Sequence, residues 1–92
     1  MTREEKHFWE EIKKIQDYVV NVYLSKKSKY CDMEELLNDV TYETIYGIME
    51  LLDGHKNINL RGDIINKLTG DSINSKIELH NYCEECLNCS DK

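Results

Sequence analysis

The chain has 92 residues, of which 33% are charged and 40% hydrophobic, and its 12 Lys and Arg against 18 Asp and Glu give a formal net charge of −6. This length is typical of one small domain, residues 1–92, and leaves little room for an enclosed substrate cleft. The excess of acid argues against nucleic-acid binding, because affinity for phosphates comes largely from Lys and Arg.

The first predicted element is a long amphipathic helix from Thr2 to about Ser25. Thr2 and Glu5 have the spacing of a capping box, in which each side chain satisfies a free backbone amide. Apolar side chains then recur at alternating intervals of four and three residues: Phe8, Ile12, Ile15, Val19, Val22 and Tyr23. Three more apolar side chains lie beside this stripe and are expected to widen the buried face: Trp9, Val20 and Leu24.

The second predicted element is another long amphipathic helix, from Met33 to Asp53. Asp32 and Glu35 form its capping box, and Gly54 follows as a C-terminal stop. The Asn-Asp pair at 38–39 is a poor helix former, so a break inside this helix remains an alternative.

A β-hairpin is predicted after a short polar loop at residues 55–59. Leu60 to Leu68 alternates apolar and polar side chains, as a half-buried strand does. Turn residues around Gly70 follow, and Ser72 to Asn74 can return as a second strand.

A C-terminal helix is predicted from Lys76 to about Asn88, opened by a third capping box formed by Ser75 and Glu78. The expected fold class is therefore α+β: two long amphipathic helices, a short antiparallel hairpin and a C-terminal helix. The alternative is an all-α bundle, which requires residues 60–74 to be irregular.

Three cysteines in the last predicted helix form the sharpest chemical motif. Cys83, Cys86 and Cys89 have C-x2-C-x2-C spacing, and Cys31 or His80 could supply a fourth ligand to zinc. On one continuous helix, however, His80 and Cys89 point to opposite sides, while Cys83 and Cys86 share the apolar side. We expect no cofactor, with Cys83 and Cys86 buried and Cys89 exposed; a zinc site or thiol-reactive module is the alternative.

Catalytic groups are not arranged in any recognisable motif. The three histidines, His7, His55 and His80, are scattered along the chain, and the sequence contains no nucleophile elbow, metalloprotease motif or Gly-rich phosphate loop. We therefore do not expect an enzyme.

The most informative pattern is an acidic face on the second helix. Residues 31–53 hold seven Asp and Glu and no Lys or Arg. Five of these acids share an arc of about 100° with two tyrosines. The members of this face are Glu35, Asp39, Tyr42, Glu43, Tyr46, Glu50 and Asp53. Gly47 lies on the opposite side, where it would allow another helix or the hairpin to approach closely.

A docking surface for a basic protein fits this face, since tyrosine is enriched at interfaces and complementary charge promotes association. An ordinary solvated face is the alternative. We predict a non-catalytic, cytoplasmic protein-binding protein, similar in size and charge to small acidic immunity and antitoxin proteins. A homodimer is a further alternative; no apolar run is long enough to span a membrane, and no nucleic-acid or membrane partner is expected.

Overall fold

The computed structural model describes residues 1–56 and 60–90. Its α-helices are α1 (Arg3–Lys26), α2 (Met33–Leu52) and the single-turn α3 (Cys83–Cys86). Short 3-10 helices at Lys27–Lys29 and Leu79–Tyr82 follow α1 and precede α3. Within the described ranges no helix combines the length and apolar character needed to cross a membrane.

Both long helices begin where the capping residues predicted them to begin. Thr2 Oγ1 accepts the Glu5 amide at 3.1 Å, and Asp32 Oδ1 accepts the Glu34 amide at 2.9 Å. The helix α2 runs without a break through residues 38–39. The predicted pair of long helices is confirmed.

The apolar core lies between α1 and α2. Ile15 and Val19 of α1 pack with Leu51 of α2, and all three side chains are buried. Gly47 brings the helices close together, because a Cβ atom at this position would lie 2.8 Å from Ile15 Cγ2. The prediction that Gly47 allows close approach of another element is confirmed.

The predicted width of the buried face of α1 is wrong. Trp9 is 57% exposed, and Val20 and Leu24 are exposed as well. Because α2 is the only other long helix in the described structure, it covers one stripe of α1 and leaves the flanking side chains in solvent.

The predicted β-hairpin is also wrong. The chain does reverse direction, but the described residues form only an isolated antiparallel bridge between Ile65 and Ser72, without a strand. The α+β assignment is therefore incorrect, and the all-α alternative fits the structure. Residues 57–59 of the predicted polar loop lie outside the described residues.

A side chain takes the hydrogen bonds that a strand ladder would have used. Asn74 Oδ1 accepts the Ile64 amide at 2.8 Å, and Asn74 Nδ2 donates to the Gly62 carbonyl at 2.9 Å. Leu68 is 97% exposed, so the alternating pattern buries no continuous apolar face. Asn74 is itself buried and holds the reversal together in place of a sheet.

The long C-terminal helix predicted from Lys76 to Asn88 is replaced by the 3-10 turn at Leu79–Tyr82 and the short α3. A helix opening at Lys76 would bond the His80 amide to the Lys76 carbonyl. That amide donates instead to Asp53 Oδ2 on α2, at 2.9 Å. A tertiary hydrogen bond has displaced the local one.

The arrangement places α2 at the centre of the molecule. It packs against α1 through Gly47 and Leu51, and a different face of α2 contacts residues 78–90, here called the C-terminal segment. The molecule measures 44 × 29 × 22 Å along its principal axes.

Candidate functional site

The acidic face of α2 is partly covered by the C-terminal segment. Asp39 is buried and accepts the Ser90 amide at 2.6 Å, and the hydroxyls of Ser90 and Tyr30 also donate to its carboxylate. Burial raises the pKa of Asp39, but the hydrogen bonds from Ser90 and Tyr30 outweigh burial and leave the pKa below its ordinary value. The hydrogen bond to Asp39 raises the pKa of Tyr30. Asp39 is thus an ionised carboxylate holding the end of the chain.

Asp53 plays the same part at the other end of α2. This buried side chain accepts the amides of Leu79 and His80 at 2.8 and 2.9 Å, and it lies 2.6 Å from His80 Nδ1. Burial raises the pKa of Asp53, but the hydrogen bonds from His80 and Leu79 outweigh burial and leave the pKa below its ordinary value. These bonds explain an acid at the carbonyl end of a helix, where the dipole disfavours it.

The two tyrosines of the face lie between these carboxylates. The rings of Tyr42 and Tyr46 stack with centroids 6.1 Å apart, and Tyr46 meets His80 edge-on at 5.6 Å. Burial raises the pKa of both phenols, and Cys83 and Cys89 of the C-terminal segment add to the shift at Tyr42. Both tyrosines are half-buried, so only part of each side chain is accessible to a partner.

The three glutamates of the face remain at the surface. Glu35 is exposed, while Glu43 and Glu50 are half-buried. Lys56 Nζ lies 3.8 Å from Glu50 Oε1, at the outer limit of an ion pair. Of the seven predicted partner-binding residues, only Glu35 is exposed, four are half-buried, and Asp39 and Asp53 are buried and hydrogen-bonded within the chain.

Packing of the C-terminal segment on α2 concentrates negative charge. Residues 31–53 and 78–90 together contain ten Asp and Glu and no Lys or Arg, whereas the rest of the chain holds 12 Lys and Arg against eight Asp and Glu. We call the surface of these two segments the acidic side. The sequence pattern located only the α2 part of it.

The cysteines are not gathered into a metal site. Cys83 is buried as predicted, and burial raises the pKa of its thiol; Cys86 is exposed, so the prediction that it is buried is wrong. Cys89 is half-buried, so the prediction that it is exposed is wrong, and Cys31 is exposed. Among the described residues, which include all four cysteines, no three cysteines come within reach of one ion.

A different cluster of metal-ligating groups lies at the C-terminal end of α2. One ligand atom from each of His55, Glu78 and His80 lies within 4.8 Å of the others. His55 Nε2 is 3.1 Å from Glu78 Oε1, which raises the pKa of His55, and the two imidazole rings are 4.6 Å apart. In the sequence, His55 follows the helix stop at Gly54, and Glu78 stands two residues before His80. No sequence pattern indicates that His55 lies close to the other two.

Comparison of the chain with protein-family models, with curated proteins and with solved structures finds no match. Function must therefore be inferred from the geometry of the acidic side and of the histidine cluster.

Proposed function

We propose that the protein is a non-catalytic binding protein that captures a basic protein partner on its acidic side. The observation that carries the proposal is the packing of two chain segments that contain ten acids and no Lys or Arg. Asp32, Asp39 and Asp53 have structural roles. Like charges brought together destabilise a fold, so a complementary partner explains the other acids better than stability does.

The buried carboxylates strengthen the field of this surface. Asp39 accepts its hydrogen bonds from backbone and hydroxyl groups, which are neutral donors, so its negative charge is offset only in part, by the nearby Lys26. A charge in partly buried surroundings is screened by salt less than an exposed one. Asp39 therefore contributes to attraction over a distance even though it cannot touch the partner.

The direct contacts would come from the outer groups. Glu43 on α2 and Glu84 on α3 lie near the stacked tyrosines, whose phenol pKa values respond to their charges. Tyr82 is 44% exposed in the C-terminal segment and supplies the accessible aromatic surface that the stacked tyrosines lack. Arg side chains make favourable contacts with exposed aromatic rings.

The test compares two charge-reversal variants with the same change in net charge. Glu43→Lys with Glu84→Lys alters the acidic side, and Glu10→Lys with Asp63→Lys alters exposed positions outside it. Each protein is immobilised and exposed to a lysate of the source organism, and bound proteins are eluted with salt and identified. We expect a basic protein to be retained by the wild type and the Glu10/Asp63 variant and lost from the Glu43/Glu84 variant.

The captured protein is then purified and its Kd is measured at low and high salt. Affinity that falls with ionic strength in the wild type and falls less steeply in the Glu43/Glu84 variant supports the proposal. Equal capture by both double variants, or a captured protein with an excess of acid, would contradict it.

A further inference from the structure

We propose that His55, Glu78 and His80 form a binding site for a divalent transition-metal ion of the zinc class. The site uses none of the cysteines; it shares Glu78 and His80 with the acidic side but includes neither Glu43 nor Glu84. Two ligands on a tetrahedral zinc ion lie roughly 3.3 Å apart, given metal–ligand bonds of about 2.0 to 2.2 Å. The 3.1 Å separation of His55 Nε2 and Glu78 Oε1 is already close to that spacing.

The first ligand is fixed by the way α2 ends. Gly54 adopts a φ of +84°, which a residue with a side chain rarely adopts. Its amide donates to the Leu51 carbonyl at 3.0 Å, and the His55 amide donates to the Glu50 carbonyl at 2.9 Å. This pair of bonds is a Schellman motif, and it places His55 directly beyond the last turn of α2.

The other two ligands are placed by Asp53. Its carboxylate accepts the amides of Leu79 and His80, so the Glu78-x-His80 stretch is held against the end of the same helix. The site therefore joins two parts of the chain that are 23 residues apart in sequence.

Asp53 also orients the His80 imidazole. Asp53 Oδ2 lies 2.6 Å from His80 Nδ1, so a metal bound at Nε2 would leave the Nδ1 proton to be donated to this carboxylate. A carboxylate that accepts the second ring proton of a ligating histidine is the usual outer partner in protein metal sites. Among the described residues, the cluster of His55, Glu78 and His80 is the one group of three possible ligands whose atoms converge.

The chemistry of the ligand set and its surroundings favours a cation. Two imidazoles and one carboxylate suit zinc and neighbouring divalent metals, with a fourth position left for water. The carbonyl end of α2 carries a partial negative charge, and Asp53 and Glu50 add negative charge near His55. A bound ion would tie the C-terminal segment to α2 and stabilise the folded state.

The experiment uses the full chain, reduced and freed of metal with a chelator, and titrates it with Zn²⁺ by calorimetry. We expect one ion per chain and a higher Tm with zinc. His55→Ala and Glu78→Ala, both at exposed side chains, should each weaken binding by at least about tenfold. His7→Ala, an exposed histidine in the first turns of α1, is the matched control and should bind as the wild type does.

A second measurement separates this site from the cysteines. The variant Cys31→Ser/Cys86→Ser/Cys89→Ser should keep its zinc affinity, and Co²⁺ bound to the wild type should show no thiolate-to-metal charge-transfer band. Binding that survives His55→Ala and Glu78→Ala but disappears in the triple serine variant would overturn the proposal in favour of a cysteine site. Failure of the wild type to bind zinc at all would overturn it outright, and capture of a protein partner is tested separately with the Glu43/Glu84 variant.

Discussion

The helix α2 is held by its two neighbours in physically different ways. Against α1 it uses apolar packing, with Leu51 set beside Ile15 and Val19 and with Gly47 allowing close approach. Against the C-terminal segment it uses carboxylates: Asp39 in the second turn and Asp53 at the C-terminal end of the helix accept backbone amides. An acidic helix face can therefore bind another segment of the same chain. The backbone amides of an irregular segment need acceptors, and the carboxylates of the helix supply them.

The difference matters for how each contact fails. Apolar packing loses stability in proportion to the atoms removed and the cavity left behind. Removing a carboxylate that accepts several hydrogen bonds breaks all of them at once. Its former donors lie near the surface, however, and regain hydrogen bonds from water. We therefore expect mutations in the apolar interface to affect the whole fold and mutations in the polar contact to act locally.

The largest expected effect is at Leu51, whose side chain is completely buried. Leu51→Ala should lower the free energy of unfolding by about 2 to 5 kcal/mol, because it removes apolar contacts and leaves a cavity. Denaturant unfolding monitored by helical circular dichroism measures the change. Leu37→Ala on the same helix is the control, since Leu37 is 55% exposed and should cost much less. Equal losses in the two variants would show that the interface with α1 is not the main source of stability.

A smaller effect is expected at Asp39. Asp39→Ala should lower the free energy of unfolding by about 1 to 3 kcal/mol, because three hydrogen bonds to a charged acceptor are lost. Hydrogen exchange at the Ser90 amide should rise, while the amides of α1 remain protected.

The control for Asp39 is Glu35→Ala, one turn earlier on α2 and exposed. That variant should leave exchange at Ser90 unchanged. Loss of protection throughout α1 in the Asp39 variant would instead mean that α1 and the C-terminal segment unfold together. The two contacts of α2 would then not differ in how locally they unfold.

The smallest expected effect is on the acid dependence of stability. The pKa of Asp39 is lower in the folded protein than its ordinary value, so its contribution is present above the unfolded pKa, about 3.9, and is lost as the pH falls through the folded pKa. Stability measured in metal-free buffer should therefore decline less steeply below about pH 4 in Asp39→Asn than in the wild type. Parallel curves for the two proteins would show that Asp39 does not hold the segment as a carboxylate.

The features that could be predicted from sequence are those with local causes. The caps at Thr2 and Asp32, the apolar repeat that includes Ile15 and Val19, and the stop at Gly54 each depend on residues within a few positions. These features were confirmed because helix formation and capping act over one or two turns.

The features that failed depend on partners far away in the chain. In the predicted hairpin, the side chain of Asn74 takes hydrogen bonds that a strand ladder would use. In the predicted C-terminal helix, Asp53 accepts amides that would otherwise form helical hydrogen bonds. Cys86 and Trp9 are exposed because the packing of single helices covers narrower stripes than the sequence suggested. No spacing rule relates Asp53 to His80, 27 residues later.

The sequence by itself determined the two long helices, their ends and the location of an acid-rich segment free of Lys and Arg. Only the tertiary structure decided that this segment holds the C-terminal segment, that their charges combine into one acidic side, and that His55, Glu78 and His80 converge. The physical reason is that a carboxylate looks the same in sequence whether it faces water or an amide. Its role is set by the donor that the folded chain brings to it.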